Sequence, residues 1–236
     1  NHVTYSPDGK YLATAGAYED NSVILWNAAG QEVHRWREPE SHFYQAEFSP
    51  QSDLLAVHAG KGIRIWDVAT GNERARLNEA SGRVLRFSQD ATELYTVQDG
   101  QDLLVWNIAK GEVVRRIPLS RRSVFSLAMS PDGKSAALGY YNYQAAVWDL
   151  VAGKQLHELT GHDGSIHVVA WSPDGKRIAT GGDDRVVRIW DANSGKLWQE
   201  FLGHEGTIYG LLFAPDSQRV VSASSDNTLL VWRLKE

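Results

Sequence analysis

Short apolar runs alternate with turn residues along the whole chain, at intervals of about 8–12 positions. The segment 166–201 shows the pattern: "IHVVAWS", "RIATGG", "VVRIWD" and "LWQEF" are rich in branched and aromatic residues, and "PDGK", "DDR" and "ANSGK" separate them. Asp and Gly suit such turns because they accept local hydrogen bonds and positive φ. No stretch keeps a helical period. The pattern therefore predicts antiparallel strands, four to a repeat.

The pattern itself repeats along the chain. Six of the nine tryptophans end an apolar run, at spacings of 40, 40, 42, 42 and 42: Trp26, Trp66, Trp106, Trp148, Trp190 and Trp232. A second marker keeps step with them, reading "SPDG" at 6–9, 130–133 and 172–175 and degenerating to "SPQS", "SQDA" and "APDS" elsewhere. A fixed period in this range indicates a repeat architecture.

Four strands form a sheet too small to bury both of its faces alone, whereas sheets stacked radially cover one another in a β-propeller. The "GH … SPDG … W[DN]" grammar resembles the WD-repeat propeller family over essentially the whole chain. The resemblance implies an all-β fold of four-stranded antiparallel blades in one domain, residues 1–236. The expected blades are residues 1–37, 38–78, 79–118, 119–160, 161–202 and 203–236.

The sequence opens at a first strand, around Val3–Tyr5, and stops after a third strand, Leu229–Arg233. The sixth repeat therefore lacks its outermost strand, which in WD-repeat propellers usually comes from the other terminus. We expect either a fragment of a larger protein, with six or seven blades in the parent, or a sixth blade with an open edge that invites association.

Composition narrows the function classes. The net charge of −5 gives no general attraction to nucleic acid or anionic membranes, and no run approaches the roughly 20 apolar residues of a bilayer span. No cysteine is present, which excludes disulfides and thiolate metal sites and fits a cytoplasmic location. Basic residues gather at 115–122, including Arg115, Arg116, Arg121 and Arg122, and a solvated rim is favoured there over nucleic-acid binding.

Two sets of residues look like hydrolase triads. The sets, 42 positions apart, are His162, Thr180, Asp184 and Trp190, and His204, Ser222, Asp226 and Trp232. The family resemblance implies that each is a structural tetrad, in which the His, the hydroxyl and the Asp form a hydrogen-bond chain to the indole. An enzyme needs one site rather than copies in adjacent blades, so no catalytic residue and no cofactor are expected. His162 and His167 lack a third ligand in register, so no metal site is expected either.

The resemblance also implies a partner-facing surface, the top face, at the loops joining strands four to one and two to three. By register it carries Tyr44, Phe125, His167 and Tyr209, and the blade 4 turn adds Tyr141 and Tyr143. Aromatics at a concave rim suit peptide binding because they give a large contact area at low entropic cost. The alternative is that some of these side chains fill the central channel.

The favoured function is a non-enzymatic scaffold that binds a peptide or protein through its top face. The alternative is a sensor or autoinhibitory domain of a larger signalling protein, fused to an ATPase, kinase or protease, with an intra-chain partner. Neither function involves nucleic acid or a membrane.

The uneven distribution of tetrads predicts uneven rigidity. Blades 1–4 lack the full set and are expected to be held mainly by packing, so amide hydrogen exchange should be slowest in blades 5 and 6. Similar protection across all six blades would contradict this expectation.

Overall fold

The computed structural model describes residues 2–16, 21–37, 43–59, 62–78, 85–98, 102–119 and 123–235, with Phe43, Tyr44 and Gln98 described by their backbone alone. These residues form 23 strands in six antiparallel sheets. They include no helix, and hence none long and apolar enough to cross a membrane. Two compact units divide the chain, Asn1–Arg116 and Ile117–Glu236.

The first unit contains two complete sheets and most of a third. The strands of the first two sheets are β1 (His2–Tyr5), β2 (Tyr11–Ala15), β3 (Ser22–Asn27), β4 (Glu32–Arg37), β5 (Phe43–Phe48), β6 (Leu54–Ala59), β7 (Gly62–Asp67) and β8 (Glu73–Asn78). Those of the third are β9 (Leu85–Phe87), β10 (Glu93–Gln98), β11 (Asp102–Asn107) and β12 (Glu112–Pro118). Each sheet keeps its strands in chain order, and each strand pairs antiparallel with the next.

The second unit repeats this plan. Its strands are β13 (Val124–Met129), β14 (Ser135–Tyr140), β15 (Ala145–Asp149), β16 (Lys154–Leu159), β17 (Ile166–Trp171), β18 (Arg177–Gly182), β19 (Val187–Asp191), β20 (Leu197–Phe201), β21 (Ile208–Phe213), β22 (Arg219–Ser224) and β23 (Leu229–Arg233). They form two four-stranded sheets and, among the described residues, a final sheet of three strands. The predicted fold class, an all-β protein made of propeller blades, is confirmed. Each sheet lies within the range predicted for its blade, and blades 1–6 below are these sheets in chain order.

The hydrophobic core lies between neighbouring blades. In the second unit, Ala145 and Val147 of blade 4 pack against Ile166, Val169 and Ile178 of blade 5, and all five are buried. In the first unit, Val23 and Leu25 likewise pack with Leu55 and Val57. Burying a branched aliphatic side chain contributes about 1.5–3 kcal/mol. Each blade therefore depends on its neighbour for stability.

An aromatic contact joins the outer strand of blade 1 to blade 2. The Trp36 indole stacks on Trp66, with ring centroids 4.7 Å apart, and its Nε1–H donates to the Gly71 carbonyl at 2.8 Å. Gly71 has a φ of +73°, and a Cβ there would come within 2.7 Å of His34 Nδ1. Only glycine fits this turn, because it accepts the positive φ and leaves room for the imidazole.

The turn between the first and second strands has one residue with left-handed φ in every blade. The residues are Gly9, Ser52, Ala91, Gly133, Gly175 and Ser217, with φ between 54° and 74°. Left-handed φ costs a non-glycine residue roughly 1–2 kcal/mol. Ser52 and Ser217 offset this cost, because their hydroxyls accept the backbone N–H groups of Asp8 and Asp174 in the preceding blade at 3.1 and 3.2 Å. Ala91 has no side-chain polar group to do so.

We therefore expect Ala91→Gly to stabilise the protein. Relief of the left-handed strain, less the greater freedom of glycine in the unfolded chain, should raise the free energy of unfolding by about 0.5–1 kcal/mol. Chemical denaturation followed by tryptophan fluorescence measures the change. The matched control is Ser52→Gly, which relieves the same strain but deletes the bond to Asp8 and should give no gain. Equal stabilisation by both substitutions would contradict the explanation.

Candidate functional site

A continuous hydrogen-bond chain runs through blade 5. Trp190 Nε1–H donates to Thr180 Oγ1 at 2.8 Å, and Thr180 Oγ1 is hydrogen-bonded to His162 Nε2 at 2.6 Å. On the other side of the imidazole, His162 Nδ1 lies 2.8 Å from Asp184 Oδ2 and 2.7 Å from Arg188 Nη1. Thr180 is fully buried and its oxygen already accepts an indole N–H, so a substrate cannot reach the hydroxyl.

Blade 6 repeats the chain with Ser222 in place of the threonine. Trp232 Nε1–H donates to Ser222 Oγ at 2.8 Å, and His204 bridges Ser222 and Asp226 at 2.7 and 2.8 Å. The backbone N–H of Glu205 also donates to Asp226, as that of Asp163 does to Asp184. Only the backbone of these two residues takes part, which explains how aspartate and glutamate replace each other there.

Blade 5 adds a buried arginine that blade 6 lacks. Arg188 donates to Asp184 Oδ2 through Nη1 and to Glu200 Oε1 through Nε, the latter at 2.7 Å. Burial alone would raise the pKa of Asp184, but the hydrogen bonds from His162 and Arg188 lower it well below its ordinary value. The carboxylate therefore stays ionised at physiological pH.

Three of blades 1–4 have an indole–hydroxyl hydrogen bond in addition to their packing. The tryptophans of blades 1 and 3 donate to Thr14 and Thr96, both at 3.0 Å, and Trp148 of blade 4 donates to the Tyr140 hydroxyl at 3.1 Å. Blades 1, 3 and 4 thus keep the indole–hydroxyl part of the tetrad. The predicted Asp20 of blade 1 lies outside the described residues.

A β-bulge places the predicted partner-facing residues. The register shifts between Val124 and Ser126, between Ile166 and Val168, and between Ile208 and Gly210. The skipped residues are Phe125, His167 and Tyr209. A bulge leaves one residue out of the ladder and turns its side chain away from the regular face. The same shift skips Tyr44 in blade 2, whose side chain lies outside the described residues.

Four aromatic side chains of blades 4–6 lie in one row, here called the aromatic row: Tyr141, Phe125, His167 and Tyr209. Ring centroids are 5.8 Å apart from Tyr141 to Phe125, 5.0 Å from Phe125 to His167, and 5.1 Å from His167 to Tyr209. These are ordinary distances for tilted aromatic pairs. Tyr141 and Tyr209 are 61% and 60% exposed, so the row forms an accessible surface across three blades. Tyr143, in the same turn as Tyr141, is also exposed and makes no ring contact with the row among the described pairs.

An aspartate fixes the central ring of the row. Asp183 Oδ1 accepts from His167 Nε2 at 2.9 Å and from the Thr207 hydroxyl of blade 6 at 3.1 Å. Burial would raise the pKa of Asp183, yet these hydrogen bonds and the His167 charge hold it below its ordinary value. His162 and His167 thus bind different aspartates, and no group of three His, Asp or Glu side chains in the described part of the chain is close enough to hold a metal ion.

The basic segment at 115–122 is engaged in ion pairs where it is described. Arg115 pairs with Glu93 at 3.4 Å and Arg116 with Asp102 at 3.7 Å. Arg121 and Arg122 lie outside the described residues.

Sequence comparison agrees with the repeats seen in the structure. The family model "WD domain, G-beta repeat" matches residues 1–27, 153–191 and 195–233. The chain therefore contains WD repeats. The matched segments end at or just after Trp26, Trp190 and Trp232, the tryptophans of blades 1, 5 and 6.

Curated relatives include other WD-repeat chains. A WD repeat-containing protein of Synechocystis is 28% identical over 58% of this chain and 40% of its own length. The B-type cell cycle switch protein of Medicago truncatula is 28% identical over 58% and 29%, and pre-mRNA-processing factor 19 of Schizosaccharomyces pombe is 24% identical over 60% and 30%. The matches thus span less than half of each relative. WD-repeat proteins are in general protein-interaction scaffolds, and they typically bind proteins or peptides.

The tetrad geometry predicts unequal costs for the same substitution in two blades. Thr180→Val removes an oxygen that serves both Trp190 and His162, whereas Thr96→Val affects Trp106 alone among the described contacts. An unsatisfied buried group costs about 1–3 kcal/mol, so Thr180→Val should lower the free energy of unfolding by about 3 kcal/mol and Thr96→Val by about half as much. Urea denaturation of both near-isosteric variants measures the difference. Equal losses would show that His162 gains nothing from the hydroxyl.

Proposed function

We propose that this chain is a non-enzymatic interaction module that binds a peptide or protein segment on the aromatic row. The observation that carries the proposal is the bulge repeated at the start of the first strand in blades 4, 5 and 6. Three sheets each release one residue from their ladder, and the three released side chains are two aromatics and an imidazole in consecutive ring contact.

The row has the physical properties of a binding surface. Tyr and Phe carry large contact areas on few rotatable bonds, so little entropy is lost when a partner covers them. Asp183 and Phe125 hold His167 in place, which reduces the ordering cost further. Leaving Tyr141 and Tyr209 mostly exposed gains nothing for folding, whereas a partner's apolar and cationic groups would gain from covering them.

The charges beside the row favour a basic partner. The Asp183 carboxylate is 44% exposed, and Asp163 and Glu205 are exposed in the loops that enter blades 5 and 6. A lysine or arginine side chain placed over the rings would combine cation–π attraction with these carboxylates. Arg185 is the exposed basic residue of the blade 5 turn, and it would repel a basic segment that extends over that turn.

The blade 4 turn holds Tyr143 in a left-handed backbone conformation, with a φ of +71°. Arg185 of blade 5 and Asn227 of blade 6 have a φ of +66° at the same register position, so left-handed φ belongs to the repeated turn. Asparagine tolerates this conformation better than a bulky side chain does. Blade 4 thus presents a second exposed tyrosine in the turn that carries Tyr141.

Selection of peptides from a randomised displayed library against the intact chain tests the proposal. The enriched peptides should be basic, and their affinity, measured by fluorescence anisotropy, should fall by about tenfold or more for the double variant Phe125→Ala/Tyr209→Ala. That expectation follows from the roughly 2 kcal/mol or more that aromatic hot-spot residues contribute.

The matched control is Val151→Ala/Leu197→Ala, which removes two exposed apolar side chains that lie outside the row. This variant should bind like the parent chain, and circular dichroism should show both variants folded. Peptides that bind the Phe125→Ala/Tyr209→Ala variant as tightly as the parent would reject the aromatic row as the site.

A further inference from the structure

A cavity of about 440 Å³ lies between blades 4 and 5, at the end of the strands opposite to the aromatic row. We call it the interblade cavity. It opens to solvent and is lined by the first-to-second-strand turns of both blades, the outer strand of blade 4 and the third-to-fourth-strand turn of blade 5. The side chains used below are Asp132, Ser135, Leu156, Trp171 and Asp174. All of them belong to the second unit.

A bulge in the fourth strand controls one wall of this cavity. In blade 4 the register shifts so that Leu156 is skipped between Gln155 and His157, and in blade 5 the same shift skips Trp198 between Leu197 and Gln199. Leu156 and Trp198 are therefore equivalent residues of consecutive blades, 42 positions apart. Leu156 is 42% exposed at the cavity.

The neighbouring wall follows the same correspondence. Ser135 pairs with Asp149 in blade 4, and Arg177 pairs with Asp191 in blade 5. Ser135 thus occupies the position that Arg177 holds in the next blade. At both wall positions blade 4 has the smaller side chain, serine for arginine and leucine for tryptophan.

Blade 5 shows what these positions hold when they are filled. The Arg177 guanidinium carbon lies 4.2 Å from the centroid of the Trp198 ring, and its Nη1 is 3.4 Å from Asp191 Oδ2. The chain's own guanidinium thus stacks on an indole beside a carboxylate. In blade 4 neither the guanidinium nor that indole is present, and the space is open.

The open cavity keeps an indole and two carboxylates. Trp171 lines it, with its Nε1–H donated to the Gly175 carbonyl at 3.1 Å, which fixes the plane of the ring. Asp132 and Asp174 each use Oδ1 to accept a serine hydroxyl at 2.6 Å and a lysine backbone N–H at 3.0 Å. These donors are uncharged, so the bonds fix the orientation of the two carboxylates and leave their negative charge in place.

Both carboxylates remain charged. The hydroxyl of Ser130 and the N–H of Lys134 lower the pKa of Asp132. Burial alone would raise the pKa of Asp174, but the Ser172 hydroxyl and the Lys176 N–H bring it below its ordinary value. Neither forms an ion pair with a basic side chain among the described residues, whereas the equivalent Asp216 pairs with Arg219 at 2.8 Å.

We propose that the interblade cavity is a second binding site, which takes an arginine side chain of a partner protein against Trp171 and between Asp132 and Asp174. A guanidinium suits the site because it is planar, stacks on indole and donates to carboxylates in a fixed fork. The site goes beyond the aromatic row and does not depend on it.

Titration of the intact chain with a blocked arginine, N-acetyl-arginine-N-methylamide, tests the proposal. In protein labelled with ¹⁵N at tryptophan, the Trp171 indole resonance, assigned with Trp171→Phe, should shift saturably. The blocked norleucine analogue should leave the resonance in place, because it lacks the charge. Asp132→Asn/Asp174→Asn keeps the turn acceptors and removes both charges, so it should weaken arginine binding by about tenfold or more.

Filling the cavity provides the matched variant. Ser135→Arg/Leu156→Trp reproduces the pair found in blade 5 and should abolish the shift while the chain stays folded. Phe125→Ala/Tyr209→Ala should bind the probe like the parent, which separates this site from the aromatic row.

Three results would overturn the proposal: shifts no larger for arginine than for norleucine, unchanged affinity in Asp132→Asn/Asp174→Asn, or equal affinity for blocked lysine. The first two would leave no role for charge, and the third would leave none for the guanidinium shape. If the filled variant does not fold, the asparagine variant still decides.

Discussion

A buried indole N–H must donate to an acceptor, and much of this structure follows from that constraint. The repeated tryptophan is the penultimate residue of the third strand of each blade, and it packs in or beside the core between blades. Blades 1, 3, 5 and 6 supply the acceptor from the second strand, through Thr14, Thr96, Thr180 and Ser222. Because the acceptor is on the adjacent strand, the bond also fixes the register of the pair. In blades 5 and 6 the hydroxyl is also hydrogen-bonded to a histidine, and the constraint extends to the loop that enters the blade.

Two repeated bulges convert this regular scaffold into surfaces. The bulge in the first strand releases one residue at the end where the blade loops meet, and the released residues of blades 4–6 form the aromatic row together with Tyr141. The bulge in the fourth strand releases one residue near the opposite end, where Trp198 fills the space beside Arg177 and Leu156 leaves it open. A bulge costs some ladder pairing, so its recurrence at equivalent positions marks a designed feature rather than a defect.

The sequence was sufficient for the fold because its signals are local and periodic. Spacing of the tryptophans and of the "SPDG" turns predicted the sheets and their limits, and the 42-residue offset between His162 and His204 separated a repeated residue from a variable one. The repeat did not predict the Tyr140 hydroxyl as an acceptor for Trp148. Tyr140 lies eight residues before its tryptophan, whereas Thr180 lies ten residues before Trp190. Bulges and the interblade cavity depend on how strands pair, and no single segment records that pairing. Once the register is known, Leu156 can be recognised in the sequence as the residue equivalent to Trp198.

Blade 4 concentrates these departures, and a physical connection links them. In a tetrad, an aspartate in the turn between the second and third strands is hydrogen-bonded to the histidine of the entering loop. In blade 4 the Tyr140 hydroxyl, within the sheet, accepts the Trp148 indole N–H. The blade 4 turn therefore needs no such aspartate, and it carries Tyr141 and Tyr143 instead. At the other end of the same blade, serine and leucine replace the arginine and tryptophan of blade 5. The family model matches segments of blades 1, 5 and 6 and leaves blades 2 and 3 and most of blade 4 unmatched. Blade 4 is thus one of the blades that depart from the repeat grammar, and it is the one that both candidate sites share. Next to the regular blade 5, its substitutions change the surface at both ends of the strands while the core between the two blades stays packed.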